Sequence, residues 1–251
     1  MGIFSCERLS KQDLVSCGTF KGHCSVNVRI VTWVRGIEIH KDIHLTLLDR
    51  FIEEIDQGLR VVSSVTHANR ELDLPDSDAA LSPDQKRASA KYMRVNHTGE
   101  VCAQALYSGQ ALVEKDIDVR LALNKSAQEE LDHLAWTQLR IKELKGRRSV
   151  LDPVFYAGSF FIGVIAGLSG TRESLGFLRE TERQVESHLT DHLDVMPLED
   201  ERSRAIVNQM REEEREHADR AEDLGDAPLS RPAAFLMGLM SKVMTKTTFM
   251  F

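Results

Sequence analysis

Residues 201–224 of the chain, ERSRAIVNQMREEEREHADRAEDL, contain a helical stripe in which apolar and ionisable residues share one face. The residues of this stripe are spaced alternately three and four positions apart: Val207, Met210, Glu214, His217, Ala221 and Leu224. This spacing is typical of the side of an α-helix that faces a protein core. A carboxylate buried there without a compensating charge is strongly destabilising, so we expect Glu214 to have a partner of positive charge.

A second segment carries the same pattern earlier in the chain. His133 follows three residues after Glu130, on a stripe formed by Leu123, Ala127, Glu130, Leu134, Thr137 and Ile141. Both segments therefore contain Glu-x-x-His, which places a carboxylate and an imidazole one above the other on a helix face. One such motif is expected by chance in this composition, whereas two copies on apolar stripes indicate a shared role.

The chain from about residue 44 onward predicts helices joined by short loops. Ser82, Pro83 and Gln85 form a helix start, with Ser as the cap, Pro at the first helical position and Gln at the third. Apolar spacing and breaks at Gly or Pro place helices near residues 43–62, 82–114, 116–144, 154–170, 172–195 and 199–225, with a short closing helix from Pro232. Short loops make neighbouring helices antiparallel, so we predict an all-α fold, a four-helix bundle with additional N-terminal and C-terminal helices.

The acidic residues are spaced so that they meet across the predicted turns. Glu100 lies 30 residues before Glu130, and the midpoint of that interval, residue 115, falls in a predicted turn. Glu186 lies 28 residues before Glu214, with its midpoint at residue 200 beside a predicted break. Residues equidistant from a turn lie at the same height on antiparallel helices. Glu182, one turn before Glu186, is an alternative that spacing alone does not exclude.

Four carboxylates and two imidazoles at one level of a bundle form a ligand set for two metal ions. Two divalent cations balance four carboxylates, and the imidazoles bind as neutral ligands. Mostly oxygen ligands with one nitrogen per metal favour iron or manganese. We expect two carboxylates to bridge the metals and two to cap one metal each, in the set Glu100, Glu130, His133, Glu186, Glu214 and His217.

Other polar residues near these positions have weaker assignments. Tyr107 shares the helix face of Glu100, and His192 lies six residues after Glu186, so both are candidate pocket residues. His97 is either a neighbour of the site or an ordinary helix histidine, and Cys102 is expected to pack in the core. We expect solvent to surround His188 and the acids Glu212, Glu213 and Glu216.

Composition excludes several classes of function. A formal net charge of −7 argues against nucleic acid as a partner. The four cysteines, at positions 6, 17, 24 and 102, show no CxxC spacing and predict neither a disulfide framework nor a zinc site. Residues 154–170 carry no charge but are short and rich in Gly and Ser, so they would be a poor membrane anchor on their own, and a buried helix is the other interpretation.

The first 40 residues differ from the rest of the chain. They contain few acids and no apolar period. A targeting segment, a disordered tail and a start site assigned too far upstream are the three interpretations. We predict that residues 1–40 are a disordered or wrongly assigned extension without function and that residues 41–251 form one helical domain.

The motif Arg94-Val-Asn-His-Thr-Gly-Glu100, followed by Tyr107-Ser-Gly-Gln110, resembles the demethoxyubiquinone hydroxylase family, whose members are ferritin-like di-iron monooxygenases of ubiquinone biosynthesis. The similarity covers about residues 45–250 and continues through the segments 129–133, 185–192 and 211–217. The form Val-Glu-x-x-Leu-x-x-His in 185–192 resembles the bacterial branch and selects Glu186 over Glu182. Leu193 stands where other branches have Tyr, so no role of that Tyr is transferred.

The resemblance implies a ferritin-like bundle that binds two Fe ions, Fe2+ in the reduced state, through the six ligands. It implies ring hydroxylation of demethoxyubiquinol, a polyprenylated methoxy-methyl-benzoquinol, with O2 and an electron donor. It also implies peripheral binding to a membrane surface, on the cytoplasmic side of a bacterial cell membrane or the matrix side of the mitochondrial inner membrane. Segments 154–170 and 233–244 would then form the entrance for the isoprenoid tail. Further partners would be other ubiquinone-biosynthesis enzymes or a second copy in a homo-oligomer.

Two other functions use the same sequence features. An iron-storage or peroxide-detoxifying bundle would have the same ligands and need no opening toward lipid. A metal-free helical scaffold would carry the six ligand residues by coincidence. Bound metal separates the scaffold from the other two, and activity on a quinol separates the hydroxylase from iron storage.

Overall fold

The computed structural model describes residues 26–34, 37–45, 47–63, 67–75 and 81–251, with side chains from residue 48 onward. It divides into two units between Glu53 and Glu54. The elements, in chain order, are β1 (Val26–Val34), β2 (Ile37–Leu45), α1 (Leu47–Ser63), α2 (Pro83–Val113), α3 (Ile117–Glu143), α4 (Asp152–Leu168), α5 (Thr171–Val195), α6 (Glu201–Asp223) and α7 (Arg231–Met250). The all-helical prediction is thus confirmed for the described residues from 47 onward.

Strands β1 and β2 form an antiparallel hairpin that the sequence analysis did not predict. Their register runs from the pair Val26 and Leu45 to the pair Val34 and Ile37. Apolar residues alternate with polar ones along much of both segments, and this period of two was the signal for strands. Residues 1–25, which include three of the four cysteines, lie outside the described residues, so the proposed extension there stays a prediction.

The bundle helices begin at the side-chain caps that the sequence provides. At the start of α2, the Ser82 hydroxyl accepts a hydrogen bond from the Gln85 amide at 3.3 Å, and the Gln85 side chain accepts one from the Ser82 amide at 2.8 Å. This reciprocal pair is the predicted capping box. The Asp116 and Asp200 carboxylates cap α3 and α6 in the same way, by accepting hydrogen bonds from first-turn amides.

Helices α2, α3, α5 and α6 form the bundle. Helix α2 packs along α3, α5 packs along α6, and contacts of α3 with α6 and of α2 with α5 join the two pairs. One apolar cluster fills the core on one side of a polar layer and includes Met93, Trp136, Leu189 and Met210. A second cluster fills the opposite side and includes Tyr107, Leu123, Leu175 and Ala221. Each bundle helix thus contributes at least one residue to each cluster, with the acidic positions between them.

Helix α4 packs closely on α2 through glycine. A Cβ at Gly109 would overlap the carbonyl oxygen of Phe160, and a Cβ at Gly163 would overlap that of Leu106. The opposite side of α4 is exposed at Val154, Phe161, Ile165 and Leu168. The expectation of a buried helix in 154–170 is therefore wrong for this face, because α2 covers only the small-residue side. Within the described residues, no helix combines the length and hydropathy that crossing a membrane requires.

We expect Gly109→Ala to lower the melting temperature, because the added methyl would enter the space of a backbone oxygen on α4 and force the two helices apart. Overpacking of this kind typically costs about 1–3 kcal/mol. Gly158→Ala on α4 is the matched control, since a Cβ there meets no atom within 4 Å. Thermal unfolding of both variants tests the packing, and equal melting temperatures would contradict it.

Candidate metal centre

Four helices bring buried carboxylates and imidazoles to one level of the bundle. Ligand atoms within 4.8 Å of one another define two groups that share Glu214. The first group is Glu100, Glu130, His133 and Glu214, and the second is Glu182, Glu214 and His217. All six side chains are almost completely buried. The structure thus brings together five of the six residues that the sequence predicted.

Two carboxylates extend between the two imidazoles. Glu130 places Oε2 3.1 Å from Nδ1 of His133 and Oε1 3.1 Å from Nδ1 of His217. Glu214 places Oε1 3.3 Å from the former nitrogen and Oε2 3.5 Å from the latter. Each carboxylate therefore offers one oxygen to each half of the site, which is the arrangement of a bridging ligand.

The structure places Glu182, and not Glu186, in the sixth position. Glu182 is fully buried, whereas Glu186 is half-buried and is in neither ligand group. The midpoint between Glu182 and Glu214 is residue 198, the centre of the connection between α5, which ends at Val195, and α6, which begins at Glu201. The pairing of Glu186 with Glu214 requires a turn centred at residue 200, two residues later than the turn in the structure. A difference of two residues in the turn displaces the matching position by four residues, about one helical turn.

Burial makes the charged state of these carboxylates unfavourable. The pKa of Glu100 is raised well above its usual value by burial and then by the charges of Glu130 and Glu214. Burial also raises the pKa of Glu182, with repulsion from Glu214 as the next cause. For Glu130, burial opposes the charge, but His133 and His217 outweigh it and lower the pKa. Four carboxylates at one level thus require positive charge in the core, which imidazolium supplies in part and metal cations supply in full.

Several of the converging atoms make no hydrogen bond within the described part of the chain. They are Glu100 Oε2, Glu130 Oε1, Glu182 Oε2, both carboxylate oxygens of Glu214, and His217 Nδ1. Buried polar atoms in folded proteins nearly always have a hydrogen-bond partner, so a convergent set without one is suited to bind a further group. Carboxylate oxygens and imidazole nitrogens are donors to divalent transition metals, so these residues fit a di-metal site.

Comparison with known proteins agrees with this geometry. The family model for ubiquinone biosynthesis protein COQ7 matches residues 87–248, which include all six clustered residues. The chain belongs to this family. It is 51% identical over 206 residues to the 3-demethoxyubiquinol 3-hydroxylase of Chromobacterium violaceum, an alignment that covers 81% of this chain and 99% of the relative. The enzymes of the same name from Bordetella avium and an Azoarcus species are 48% and 50% identical, covering 82% and 81% of this chain and 96% and 99% of theirs.

The COQ7 assignment confirms the family that the motif around residues 94–100 resembled. The matched segment begins in α2 and ends in α7, so it covers the bundle except for the first four residues of α2. The hairpin of β1 and β2 lies outside the family match.

A second layer of carboxylates lies behind the two histidines. Glu213 Oε2 is 2.8 Å from Nε2 of His133, and Glu129 Oε2 is 2.9 Å from Nε2 of His217. The expectation that Glu213 faces solvent is therefore wrong, because its carboxylate is buried and contacts both His133 and Arg70. The sequence signal for this layer was a second Glu directly before each of Glu130 and Glu214. Each of these contacts joins α3 to α6, and the spacing within a single helix does not reveal contacts between helices.

The predicted pocket residues occupy different places. The Tyr107 hydroxyl is buried and donates a hydrogen bond to Oε1 of Glu182 at 2.7 Å, so it contacts the ligand set directly. His192 lies outside the ligand groups, with Nδ1 2.6 Å from Oδ1 of Asn96. Burial, followed by repulsion from His188, lowers the pKa of His192 to about 3, so the ring is neutral at physiological pH.

The other predicted neighbours are also in the interior. His97 is buried, and its Nδ1 is 3.0 Å from the Thr137 hydroxyl. His188 is half-buried, with its ring 4.0 Å from that of His192, so the expectation of a solvent-facing side chain is wrong. Cys102 is mostly enclosed, as predicted, and burial raises the pKa of its thiol to about 12.

Proposed function

We propose that this chain is a di-iron 3-demethoxyubiquinol 3-hydroxylase, which adds one oxygen atom from O2 to the ring of a polyprenylated methoxy-methyl-benzoquinol. The observation that carries the proposal is the buried set of four carboxylates and two imidazoles in a chain about half identical to enzymes of that name. The proposed metal ligands are Glu100, Glu130, His133, Glu182, Glu214 and His217, with Glu182 in place of the residue chosen from sequence.

The residues of the chain would hold and enclose the metals. Two ferrous ions bound here would supply the electrons with which O2 is reduced, while an external donor restores the ferrous state. Glu130 and Glu214 would bridge the ions, since each presents one oxygen to each histidine. Tyr107 would orient Glu182 through its hydrogen bond. The apolar clusters above and below the layer would exclude water from the reacting ring.

The exposed apolar faces of α4 and α7 support peripheral attachment to the membrane that contains the quinol. On α4, Phe161 and Ile165 are 66% and 68% exposed, and on α7 Phe235 is 76% exposed. Such faces gain free energy when they enter the lipid interface, at about 1.5–3 kcal/mol for each large apolar side chain. We propose that the chain lies on the cytoplasmic side of a bacterial cell membrane and takes its substrate from the lipid.

We expect the double variant Phe161→Glu, Ile165→Glu to bind phospholipid vesicles at least about tenfold more weakly, because two carboxylates replace apolar side chains at the interface. Vesicle co-sedimentation measures the effect. Leu121→Glu, Leu139→Glu on α3 is the matched control, since these side chains are also exposed but lie on a bundle helix. Unchanged binding of the α4 variant, or an equal loss in the control, would contradict membrane contact through α4.

Hydroxylation with labelled oxygen tests the function itself. The chain is loaded with ferrous iron without air, mixed with a short-tailed demethoxyubiquinol, and exposed to 18O2 in the presence of a reductant. Mass spectrometry should show one 18O atom in the product. Iron oxidation without a labelled product would contradict hydroxylation and favour the iron-storage alternative.

A further inference from the structure

The contact behind His133 continues to an arginine in the connector 67–75. Glu213, which contacts Nε2 of His133, accepts two hydrogen bonds from the Arg70 guanidinium, both at 2.8 Å. Nε of the same guanidinium donates to Asp132 Oδ2 at 2.6 Å, and the Asn69 amide donates to the other oxygen of Asp132 at 2.6 Å. The connector is therefore tied to the helix residue next to His133 as well as to the carboxylate behind it.

The contact behind His217 also continues to an arginine. Glu129, which contacts Nε2 of His217, accepts a hydrogen bond from Arg220 at 3.0 Å. Arg220 is held in addition by the Ser126 hydroxyl at 2.6 Å. Both halves of the site thus have the same order of groups outward from the metal ligand: imidazole, carboxylate, guanidinium.

The two arginines come from unrelated places in the chain, although the ligand helices repeat each other. Arg220 lies three residues after His217, and the equivalent position after His133 is Trp136, which carries no charge. Arg70, which lies outside the repeated helices, provides the positive charge that is absent at position 136. The Arg70 guanidinium carbon lies 5.2 Å from the centre of the Trp136 ring. The backbone carbonyl oxygen of Arg70 accepts a hydrogen bond from the Trp136 indole nitrogen at 3.2 Å. The connector supplies the cation that the first half of the repeat lacks.

We propose that Arg70 and Arg220 are positioning residues that orient the two histidine ligands through Glu213 and Glu129. A carboxylate only accepts hydrogen bonds, so each histidine presents Nε2–H to it and leaves Nδ1 toward the metal pair. The guanidinium fixes the carboxylate, most firmly on the Arg70 side, where two parallel hydrogen bonds set its plane. The inference rests on the proposed metal centre and extends it to residues far from the metals.

The test compares Arg70→Met with Arg220→Met in the full chain, by 57Fe Mössbauer spectroscopy and anaerobic ferrous-iron titration. Loss of a group that supports a metal ligand typically weakens metal binding about 10–100-fold. We expect each variant to weaken one of two iron sites about tenfold and to change the spectrum of that iron only, a different one in each variant. Arg70→Lys keeps the charge but loses the two parallel hydrogen bonds to Glu213, so it should restore only part of the affinity.

Arg202→Met is the matched control. Arg202 also ties the connector to the bundle, through the Pro75 carbonyl and Glu143, but it does not contact the carboxylates behind the histidines. It should leave both iron sites unchanged. An equal loss in Arg202→Met, no loss in Arg70→Met, or complete rescue by Arg70→Lys would overturn the positioning role. Failure of the unaltered chain to bind two irons would instead overturn the metal centre itself.

Discussion

Replacing Glu182 with Gln should remove one metal ion per chain, whereas Glu186→Gln should leave both bound. Glu182 is fully buried, and its carboxylate belongs to one ligand group with Glu214 and His217. Glutamine has the same shape but no charge, so the variant loses an anionic ligand without a change in volume. Hydroxylation should fall more than about a hundredfold, since even groups behind a metal ligand are typically worth about 10–100-fold.

Metal analysis of the two purified variants, with quinol hydroxylation as a second readout, decides between these neighbours. Glu186→Gln is the matched control because it makes the same chemical change one turn along α5, at a half-buried position. Two metals in Glu182→Gln together with one in Glu186→Gln would restore the assignment made from the sequence motif and contradict the geometry of the α5–α6 turn.

Removal of the metals should lower the melting temperature by about 10 °C. Ions that bind only the folded chain stabilise it by about 4 kcal/mol when present at about a thousand times their dissociation constant. For a domain of about 200 residues, each kcal/mol changes the melting temperature by about 2–4 °C.

Calorimetry of the iron-loaded and chelator-treated chain, both without air, measures this shift. The variant Glu130→Gln, which lacks a proposed bridging ligand, should show a much smaller difference between the two conditions. Equal melting temperatures of the loaded and treated forms of the unaltered chain would contradict a structural contribution from the metals. A metal-free form that is the more stable of the two would favour the scaffold alternative.

Five of the six proposed ligands could be predicted from the sequence because each satisfies a local rule. Glu-x-x-His on an apolar stripe identifies its own helix face, and Glu100 lies as far before the α2–α3 turn as Glu130 lies after it. The sixth ligand depends on the centre of the α5–α6 turn, which Pro197 marks only approximately. An uncertainty of two residues there is enough to exchange Glu182 for Glu186.

The contacts between distant segments could not be predicted in this way. Glu213 stands in an acidic run that is typical of a solvent-facing helix, and its burial depends on Arg70, which lies 143 residues earlier in the sequence. The exposed apolar faces of α4 and α7 could not be predicted from composition either. Whether an apolar segment is buried or exposed depends on which neighbouring helices pack against it. The strands β1 and β2, by contrast, have a local period of two in their apolar residues, which is a signal that the sequence alone contains.

Anomalous diffraction at the iron edge, from crystals of the iron-loaded chain, tests the metal centre most directly. Two peaks should lie about 3.5–4 Å apart between Glu130 and Glu214, as is usual for paired metal sites. His133 should contact one iron and His217 the other, with Glu182 rather than Glu186 beside the second. Absence of iron from this layer, or a single peak outside it, would contradict the account.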